Sequence, residues 1–258
     1  RALVEPLGML AGATHILITT PPDDEGCPVF RLHAQDILDT PGVEWVGYLS
    51  ATSVYGNRDG EWVDETGETR PISKRGSRRL FAEEQWRSLY KSDNLPIHIF
   101  RLAGIYGPGR SGLDSVRAGR ARRIKKEGHA FNRIHVEDIA QVLRASMGKP
   151  NPGSVYNVSD DRPAGSWEVI SYACELVGIE PQPLMPFEEA DLAPITRSFY
   201  ADNKRICNKK IKEELGVVLE YPTFEESLKR CLEIEQTGDQ SWKDAGFSIV
   251  SGEADGGE

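Results

Sequence analysis

Residues 48–56 place small hydroxyl side chains where a parallel sheet would bind a ligand. The segment reads YLSATSVYG, an apolar stretch that leads into Ser50, Thr52 and Ser53. In open parallel sheets, ligands bind beyond the carboxyl ends of the strands, so hydroxyls there could orient a substrate oxygen. Ser and Thr also end strands simply because they satisfy backbone groups in turns. The spacing alone leaves a ligand site and a plain strand-to-loop turn as even alternatives.

A second candidate is a run of six cationic side chains within ten residues. Its members are Arg117, Arg120, Arg122, Arg123, Lys125 and Lys126. Such a run could clamp an anion, such as the phosphate of a nucleotide sugar, or dock an acidic partner. We favour an ordinary solvated surface, because the chain carries a net charge of −9. That charge, and the lack of aromatic residues between Leu113 and Ala130, disfavour nucleic-acid binding.

The composition indicates a globular, soluble protein. The 258 residues are 39% hydrophobic and 28% charged, close to globular averages. No apolar run is long enough for a membrane-spanning helix, so no membrane partner is predicted. The four cysteines show neither a C-x-x-C pair nor zinc-ligand spacing, which predicts reduced thiols and no metal site. A reducing compartment follows, either the cytoplasm or an organelle matrix or stroma.

Strand-like and helix-like segments alternate along the chain. Short apolar runs bounded by turn residues are typical of strands buried on both faces. Strands are predicted at residues 15–19, 43–50, 97–102 and 154–158. Helices are predicted at residues 28–38, 75–90, 136–147, 167–177, 209–215 and 223–235, the last with Thr223 and Glu226 as a capping box. This alternation predicts an α/β fold with a doubly wound parallel sheet.

Both ends of the chain differ from its middle. Residues 15–19 are too apolar for an exposed sheet edge, and the chain opens at Arg1 without a methionine. We expect either that residues before Arg1 complete the sheet, which we favour, or that a partner covers the edge. The sequence becomes rich in Gly, Ser and acidic residues near its end. Residues 1–236 are therefore expected to form an N-terminally incomplete domain, and residues 237–258 a flexible tail.

Five blocks of sequence then follow one another at a characteristic spacing. They are LSATSVYG at 49–56, Pro71-x4-Gly76 leading into LFAE at 80–83, RLAGIYGPG at 101–109, NRIHVEDIA at 132–140 and VYNVS at 155–159. Together they resemble the extended short-chain dehydrogenase/reductase family, in its NAD-dependent epimerase/dehydratase group. The resemblance runs from the fourth strand of that fold nearly to Glu235. It implies a Rossmann-type sheet with a small C-terminal lobe, whose substrate-lobe-like parts lie near residues 109–130 and 180–215.

The resemblance also shows which catalytic groups have been replaced. In the family, a Ser or Thr orients the substrate oxygen, a Tyr exchanges the proton, and a Lys lowers the pKa of that Tyr and holds the nicotinamide ribose. These positions fall on Ala51, Arg75 and Arg79. Arginine stays charged at neutral pH and cannot exchange a proton, although Arg79 could keep the contact with the ribose. Tyr55 is the remaining acid–base candidate, but the resemblance makes it the structural tyrosine of the Val-Tyr-Gly motif.

A cofactor site is implied only if the glycine-rich turn of the family precedes Arg1, since the chain contains no G-x-G-x-x-G motif. NAD or NADP would then lie along Thr19, Thr20, Pro21, Ser50, Ala51, Arg79, Ala103, Gly104 and Ile105. Substrate or partner contacts are expected from Ser53, Arg120, Arg122, Arg123, Arg133 and His135. For His135, a packed and hydrogen-bonded histidine is the simpler interpretation.

Three functions remain open at this point. The leading expectation is an atypical, NAD(P)-binding member of the epimerase/dehydratase family with eroded catalytic residues, a pseudoenzyme that senses, scaffolds or performs unassigned chemistry. The alternative is a cofactor-free accessory subunit that binds a protein partner in a complex. The third is an active oxidoreductase or nucleotide-sugar epimerase with substitute residues. The substrate, the choice between NAD and NADP and the compartment do not follow from the sequence.

Overall fold

The computed structural model describes residues 3–238, which form an α/β structure around one main sheet. The helices are α1 (Pro6–Leu10), α2 (Pro28–Leu38), α3 (Lys74–Asp93), α4 (Gly112–Arg117), α5 (Val136–Gly148), α6 (Ser166–Val177), α7 (Pro194–Phe199), α8 (Lys209–Glu213) and α9 (Phe224–Thr237). The strands are β1 (His15–Ile18), β2 (Trp45–Ala51), β3 (Trp62–Val63), β4 (Ile97–Leu102), β5 (Gly104–Tyr106), β6 (Ile124–Lys125), β7 (Arg133–His135), β8 (Val155–Val158), β9 (Met185–Pro186) and β10 (Arg205–Ile206). Short 3-10 helices span Thr52–Tyr55 and Phe187–Glu189.

The main sheet has four strands in the order β1-β2-β4-β8, and every pairing is parallel. Each of its strands coincides within two residues with one predicted from the sequence. The predicted α/β class with a doubly wound parallel sheet is therefore confirmed. The short strands β3, β5, β6, β7, β9 and β10 were not foreseen, because two or three residues are too few to show a period.

Two apolar layers cover the two faces of the sheet, as the alternation of side chains along a strand requires. On one face, Val46 and Tyr48 of β2 pack with Trp86 of α3. On the other, Trp45 packs with Phe100 of β4, together with residues of α5 and α8. A Cβ on Gly47 would lie 2.1 Å from the ring of Trp45, so the glycine makes room for that ring.

Strand β1 departs from its prediction. The apolar run was expected to be buried on both faces, yet Leu17 is 40% exposed and His15 is exposed, while Ile18 is buried. The physical reason is the position of β1 at the sheet edge, where it pairs only with β2 among the described strands. A hollow of about 320 Å³ lies beside it, bordered by Thr19 and Thr20 as well as residues of α1 and α2.

The remaining elements form a small C-terminal region against the sheet. Strand β6 pairs with β9, which joins the segments near 109–130 and 180–215, and Ile124 and Tyr200 share an apolar cluster there. Helices α4, α6 and α9 pack around a third cluster. The capping box at Thr223 is present, but α9 continues through Thr237 into the predicted tail. Residues 239–258 of that tail lie outside the described residues. None of the described helices is long and apolar enough to cross a membrane.

Candidate functional site

The sheet brings most of the expected cofactor-wall residues to one edge. Strand β1 ends just before Thr19 and Thr20, β2 ends at Ala51, and β4 ends just before Ala103. The register pairs Ile18 with Tyr48 and Ala51 with Leu102, so these ends lie side by side at the carboxyl edge. This is the edge at which doubly wound sheets bind their ligands.

Gly104 and Ile105 extend this wall beyond β4. The N–H of Gly104 donates to the Asn132 carbonyl oxygen at 3.0 Å, and β5 continues into parallel pairing with β7. Gly104 and Ile105 are both exposed. A Cβ on Gly104 would lie 3.1 Å from the Asn132 oxygen, so a small residue suits this position.

The 3-10 turn Thr52–Tyr55 follows β2 and leads the chain into Gly56. Gly56 has a φ of 66°, and a Cβ there would lie 1.8 Å from the Arg70 carbonyl oxygen, so the turn requires glycine. The side chains of Thr52 and Ser53 are half-buried at the carboxyl edge, whereas Tyr55 points into the core. The hydroxyl of Tyr55 donates to Asn157 Oδ1 at 2.7 Å. Burial raises the pKa of Tyr55 to about 12.

Helix α3 presents Arg75 and Arg79, the two arginines that the resemblance assigns to the Tyr and Lys positions of the family. Ser73 caps the helix by accepting the Gly76 N–H, and a Cβ on Gly76 would lie 2.7 Å from the Ser53 carbonyl oxygen. Glycine at this position therefore lets α3 pack directly against the turn after β2. Arg79 Nη1 donates to the Leu49 carbonyl oxygen at 2.6 Å.

The side chain of Arg75 reaches the C-terminal region. Its guanidinium carbon lies 4.6 Å from the ring centroid of Phe199, the last residue of α7. Both side chains remain accessible, since Arg75 is exposed and Phe199 is 48% exposed. The residue at the Tyr position thus makes a cation–π contact across to the small lobe.

A buried ion pair beneath the site was not predicted from the sequence. Glu83 of α3 is 1% exposed and accepts from Arg101 of β4, with Nη2 at 2.7 Å from Oε2. Ser50, a predicted cofactor residue, donates its hydroxyl to Glu83 Oε1 at 2.5 Å. The guanidinium of Arg101 lies over the Tyr55 ring at 4.7 Å. Although burial opposes its charge, Glu83 holds the pKa of Arg101 above its ordinary value.

The pair links the site to the core. The carboxylate of Glu83 fixes the end of β2 through Ser50 and the ring of Tyr55 through Arg101. One signal in the sequence could have identified Arg101, namely a charged residue within the otherwise apolar strand IHIFRL. Its partner Glu83 lies 18 residues earlier on a helix, and no local pattern joins the two.

Arg133 and His135 lie on β7, next to β5, and are held by the protein itself. Arg133 Nη1 donates to the carbonyl oxygens of Phe131 and Ala164, at 3.1 and 3.0 Å. His135 is fully buried, and its Nδ1 accepts the Glu137 N–H at the start of α5. Burial, aided by the charge of Arg230, lowers the pKa of His135 to about 4. Its ring is therefore a neutral helix cap.

A second group of buried polar side chains lies around Tyr106, whose ring meets that of His135 edge-on, with the centroids 5.7 Å apart. Asp160, Tyr106 and Ser227 each have a buried oxygen without a hydrogen-bond partner among the described residues, as does Nε2 of His135. Burial raises the pKa of Asp160 to about 8, against the opposing charge of Arg133. These residues come from four separate segments, so no local sequence pattern indicates that they meet.

The basic run is largely engaged in contacts of the small lobe. Arg122 Nη1 donates to the Asp191 carbonyl oxygen at 2.6 Å. Arg123 donates to Ser171 Oγ at 2.8 Å and to the Gln182 carbonyl oxygen at 3.0 Å. Arg120 is exposed. Of the three arginines of this run that were named as substrate or partner contacts, two thus also hold segments of the lobe together. Within residues 3–238, no group of three or more His, Cys, Asp or Glu side chains could hold a metal ion.

Comparison with known proteins agrees with this geometry. A solved structure of a functionally unknown conserved protein from Silicibacter pomeroyi DSS is 51% identical, with a TM-score of 0.82, over 87% of this chain and 79% of that one. Protein YeeZ of Escherichia coli K12 is 31% identical over 232 residues, which cover 84% of this chain and 75% of YeeZ. UDP-glucuronic acid 4-epimerase from Bacillus cereus, solved with NAD, shares the fold at 15% identity, with a TM-score of 0.72 over 92% of this chain and 79% of that one.

Residues 32–159 match the NAD dependent epimerase/dehydratase family. This match spans β2, β4, β5, β7 and β8, which supply most of the candidate site. The resemblance of the five sequence blocks, the parallel sheet and these relatives lead to one conclusion. The chain belongs to the NAD dependent epimerase/dehydratase family.

Proposed function

We propose that this protein binds NAD or NADP at the carboxyl edge of its sheet without the proton-transfer machinery of its family, and acts as a sensor or scaffold or in unassigned chemistry. The proposal is supported by Arg75, which the resemblance assigns to the family's tyrosine position, on an otherwise family-like wall. The ends of β1, β2 and β4 still lie side by side there. The side chain at the Tyr position, however, contacts Phe199 through a guanidinium.

Neither Arg75 nor Tyr55 is suited to exchange a proton at neutral pH. Arg75 carries a guanidinium, which stays charged at neutral pH and cannot exchange a proton there. Tyr55 is fully buried, donates to Asn157, and has its pKa raised to about 12 by burial. A general acid or base works best when its pKa lies near the working pH. Standard hydride transfer, with its coupled proton step, is therefore disfavoured.

Cofactor binding is supported by features that do not depend on that tyrosine. Arg79 stands at the Lys position and already donates to the Leu49 carbonyl oxygen, at the end of β2. From there its remaining N–H groups could reach a ribose hydroxyl. Family members of the same fold, such as the epimerase from Bacillus cereus, have been solved with NAD.

Titration of NADH and NADPH into the natural full-length protein tests the proposal. The protein titrated includes any residues that precede Arg1 in its natural chain, because residues 1–258 contain no glycine-rich turn for the dinucleotide phosphates. We expect saturable binding in the micromolar range, measured by the fluorescence of the reduced nicotinamide. Arg79→Ala should weaken binding, whereas Lys209→Ala, an exposed cation on α8, should leave it unchanged. No binding of either nucleotide to the full-length protein would refute the proposal.

The loss of catalysis is tested separately by restoring the family residues. The triple variant Ala51→Ser/Arg75→Tyr/Arg79→Lys should gain slow reduction of NAD or NADP with sugar-nucleotide substrates, whose hydroxyl is oxidised to a ketone, while the parent stays inert. Measurable turnover by the parent would show that a substitute base exists and would contradict the argument from arginine.

An accessory subunit without cofactor is the second candidate. It is favoured by the exposed edge strand β1, where Leu17 presents 40% of its surface. An apolar edge of this kind pairs readily with another strand. The nucleotide titration separates the two candidates, because an accessory subunit would bind neither NADH nor NADPH.

A further inference from the structure

Four cations stand on the first two turns of α3, and three of them have acceptors. Lys74 and Arg78 both pair with Asp24, at 3.0 and 2.7 Å. Arg79 donates to the Leu49 carbonyl oxygen at 2.6 Å. Arg75 stands between them in sequence and pairs with no carboxylate or carbonyl oxygen among residues 3–238. Its contact is with the ring of Phe199.

That contact orients the guanidinium without using its hydrogen-bonding capacity. A guanidinium carries five N–H donors in a planar fork, and stacking on a ring engages its face. The ring centroid of Phe199 lies 4.6 Å from the guanidinium carbon. The N–H groups therefore stay available, in an arrangement that suits bidentate binding of a carboxylate or a phosphate.

Arg75 stands beside the candidate site in the fold. Gly76, the next residue, packs against the turn that follows β2, with its Cβ position 2.7 Å from the Ser53 carbonyl oxygen. The hydroxyls of Thr52 and Ser53 belong to this turn and have no hydrogen-bond partner among the described residues. Phe199 comes from α7 of the small lobe and is half exposed. The contact between Arg75 and Phe199 thus connects the carboxyl edge of the sheet with the small lobe.

We infer that Arg75, steadied by Phe199, binds an oxyanion of the molecule that enters between α3 and α7. The ligand would carry a carboxylate or a phosphate, with hydroxyl groups within reach of Thr52 and Ser53. This inference rests on the proposed function and sharpens it, because it turns the former proton-donor position into an anion receptor. The chemical class of the ligand is accordingly anionic rather than a neutral alcohol or ketone.

The test follows the side-chain N–H signals of arginine by NMR, in full-length protein labelled with 15N-arginine. Inorganic phosphate and acetate are titrated separately, with sodium chloride at matched ionic strength as the reference for screening. The Nε–H of Arg75 is assigned by its absence in Arg75→Lys. We expect a saturable shift of this signal with phosphate, acetate or both, and none with chloride. The anion that shifts the signal, phosphate or acetate, identifies the class of oxyanion that Arg75 binds.

Two variants separate a specific site from general attraction. Arg75→Gln should raise the dissociation constant of the oxyanion about tenfold, as expected for loss of a charge-assisted bidentate contact. The matched control Arg78→Gln removes a cation one turn away that is already paired with Asp24, and should leave the constant unchanged. Phe199→Leu should weaken binding, because the guanidinium loses its support. Equal binding by the parent and Arg75→Gln, or an equal response to chloride, would overturn the inference.

The nucleotide titration on the same samples keeps this inference apart from the proposed function. If NADH or NADPH binds while Arg75 does not respond to either oxyanion, the anion receptor is wrong and the cofactor proposal stands. If Arg75 responds but no dinucleotide binds, the receptor stands and the cofactor proposal fails.

Discussion

The buried pair of Glu83 and Arg101 offers a sharp test of how the site is held in place. Their side chains are 1% and 3% exposed, and three N–H to oxygen contacts of 2.7 to 3.3 Å join them. The change Glu83→Gln keeps the shape of the side chain but removes its charge. Arg101 would then be a buried cation without a counter-ion, and Ser50 would lose a charged acceptor.

The expected loss of unfolding free energy in Glu83→Gln follows from this burial. Removing one partner of a buried ion pair costs about 3–5 kcal/mol, because the remaining charge is left uncompensated. A domain has only about 5–15 kcal/mol of unfolding free energy in total, so the variant should be markedly destabilised. At about 2–4 °C per kcal/mol for a chain of this size, the melting temperature should fall by roughly 6–20 °C.

Urea unfolding followed by tryptophan fluorescence measures the difference, since Trp45 and Trp86 are fully buried. The double variant Glu83→Leu/Arg101→Met should recover most of the lost stability, because apolar replacement of a whole buried pair is often neutral. A control on the surface, Lys209→Gln, breaks an exposed pair with Glu213 and should shift the transition little. If Glu83→Gln unfolded like the parent, the pair would not secure the site.

Two further predictions concern stability. The pKa of Asp160, raised to about 8 by burial, means that the folded protein keeps a proton which the unfolded chain loses near pH 4. Relative to Asp160→Asn, the stability of the parent should therefore fall as pH rises, by about 1.4 kcal/mol per pH unit between roughly pH 5 and 7. The comparison with this variant removes the opposite contribution of the buried histidines, whose lowered pKa makes the fold more stable as pH rises. Urea midpoints across this window give the difference, and an equal pH dependence of the two proteins would contradict the assignment. The second prediction is that Gly56→Ala costs at least about 2 kcal/mol, since its φ of 66° is strained for alanine and its Cβ would meet the Arg70 oxygen. Gly109→Ala, with a φ of 77° but open space, is the matched control and should cost less; equal losses would show that the contact with Arg70 does not matter.

The sequence predicted the strands and helices of the main sheet because local patterns of residues determine them. Apolar runs separated by helical segments fix parallel strands, and Thr223 with Glu226 marks the start of α9 as found. The five family blocks also located the turn after β2 and the first turns of α3, where Ala51, Arg75 and Arg79 lie. Spacing along the chain was enough for these features.

What the sequence did not predict depends on contacts between distant segments. The pairing of Glu83 with Arg101, and the contact of Arg75 with Phe199 more than 120 residues away, arise only when helices dock on the sheet. The buried group around Asp160 has the same origin. Strand β1 has no neighbour on its outer side among the described strands, and the segment or partner expected to cover it stays a prediction, because an apolar run indicates burial but does not tell what supplies it.

The most direct test of the account is a crystal structure of the full-length protein with bound NAD or NADP. The account predicts the nicotinamide ribose within hydrogen-bonding reach of Arg79, the nicotinamide beside Ala103 and Gly104, and the guanidinium of Arg75, not a phenol, facing the substrate space. An empty sheet edge at saturating nucleotide, or a ribose bound away from Arg79, would contradict it.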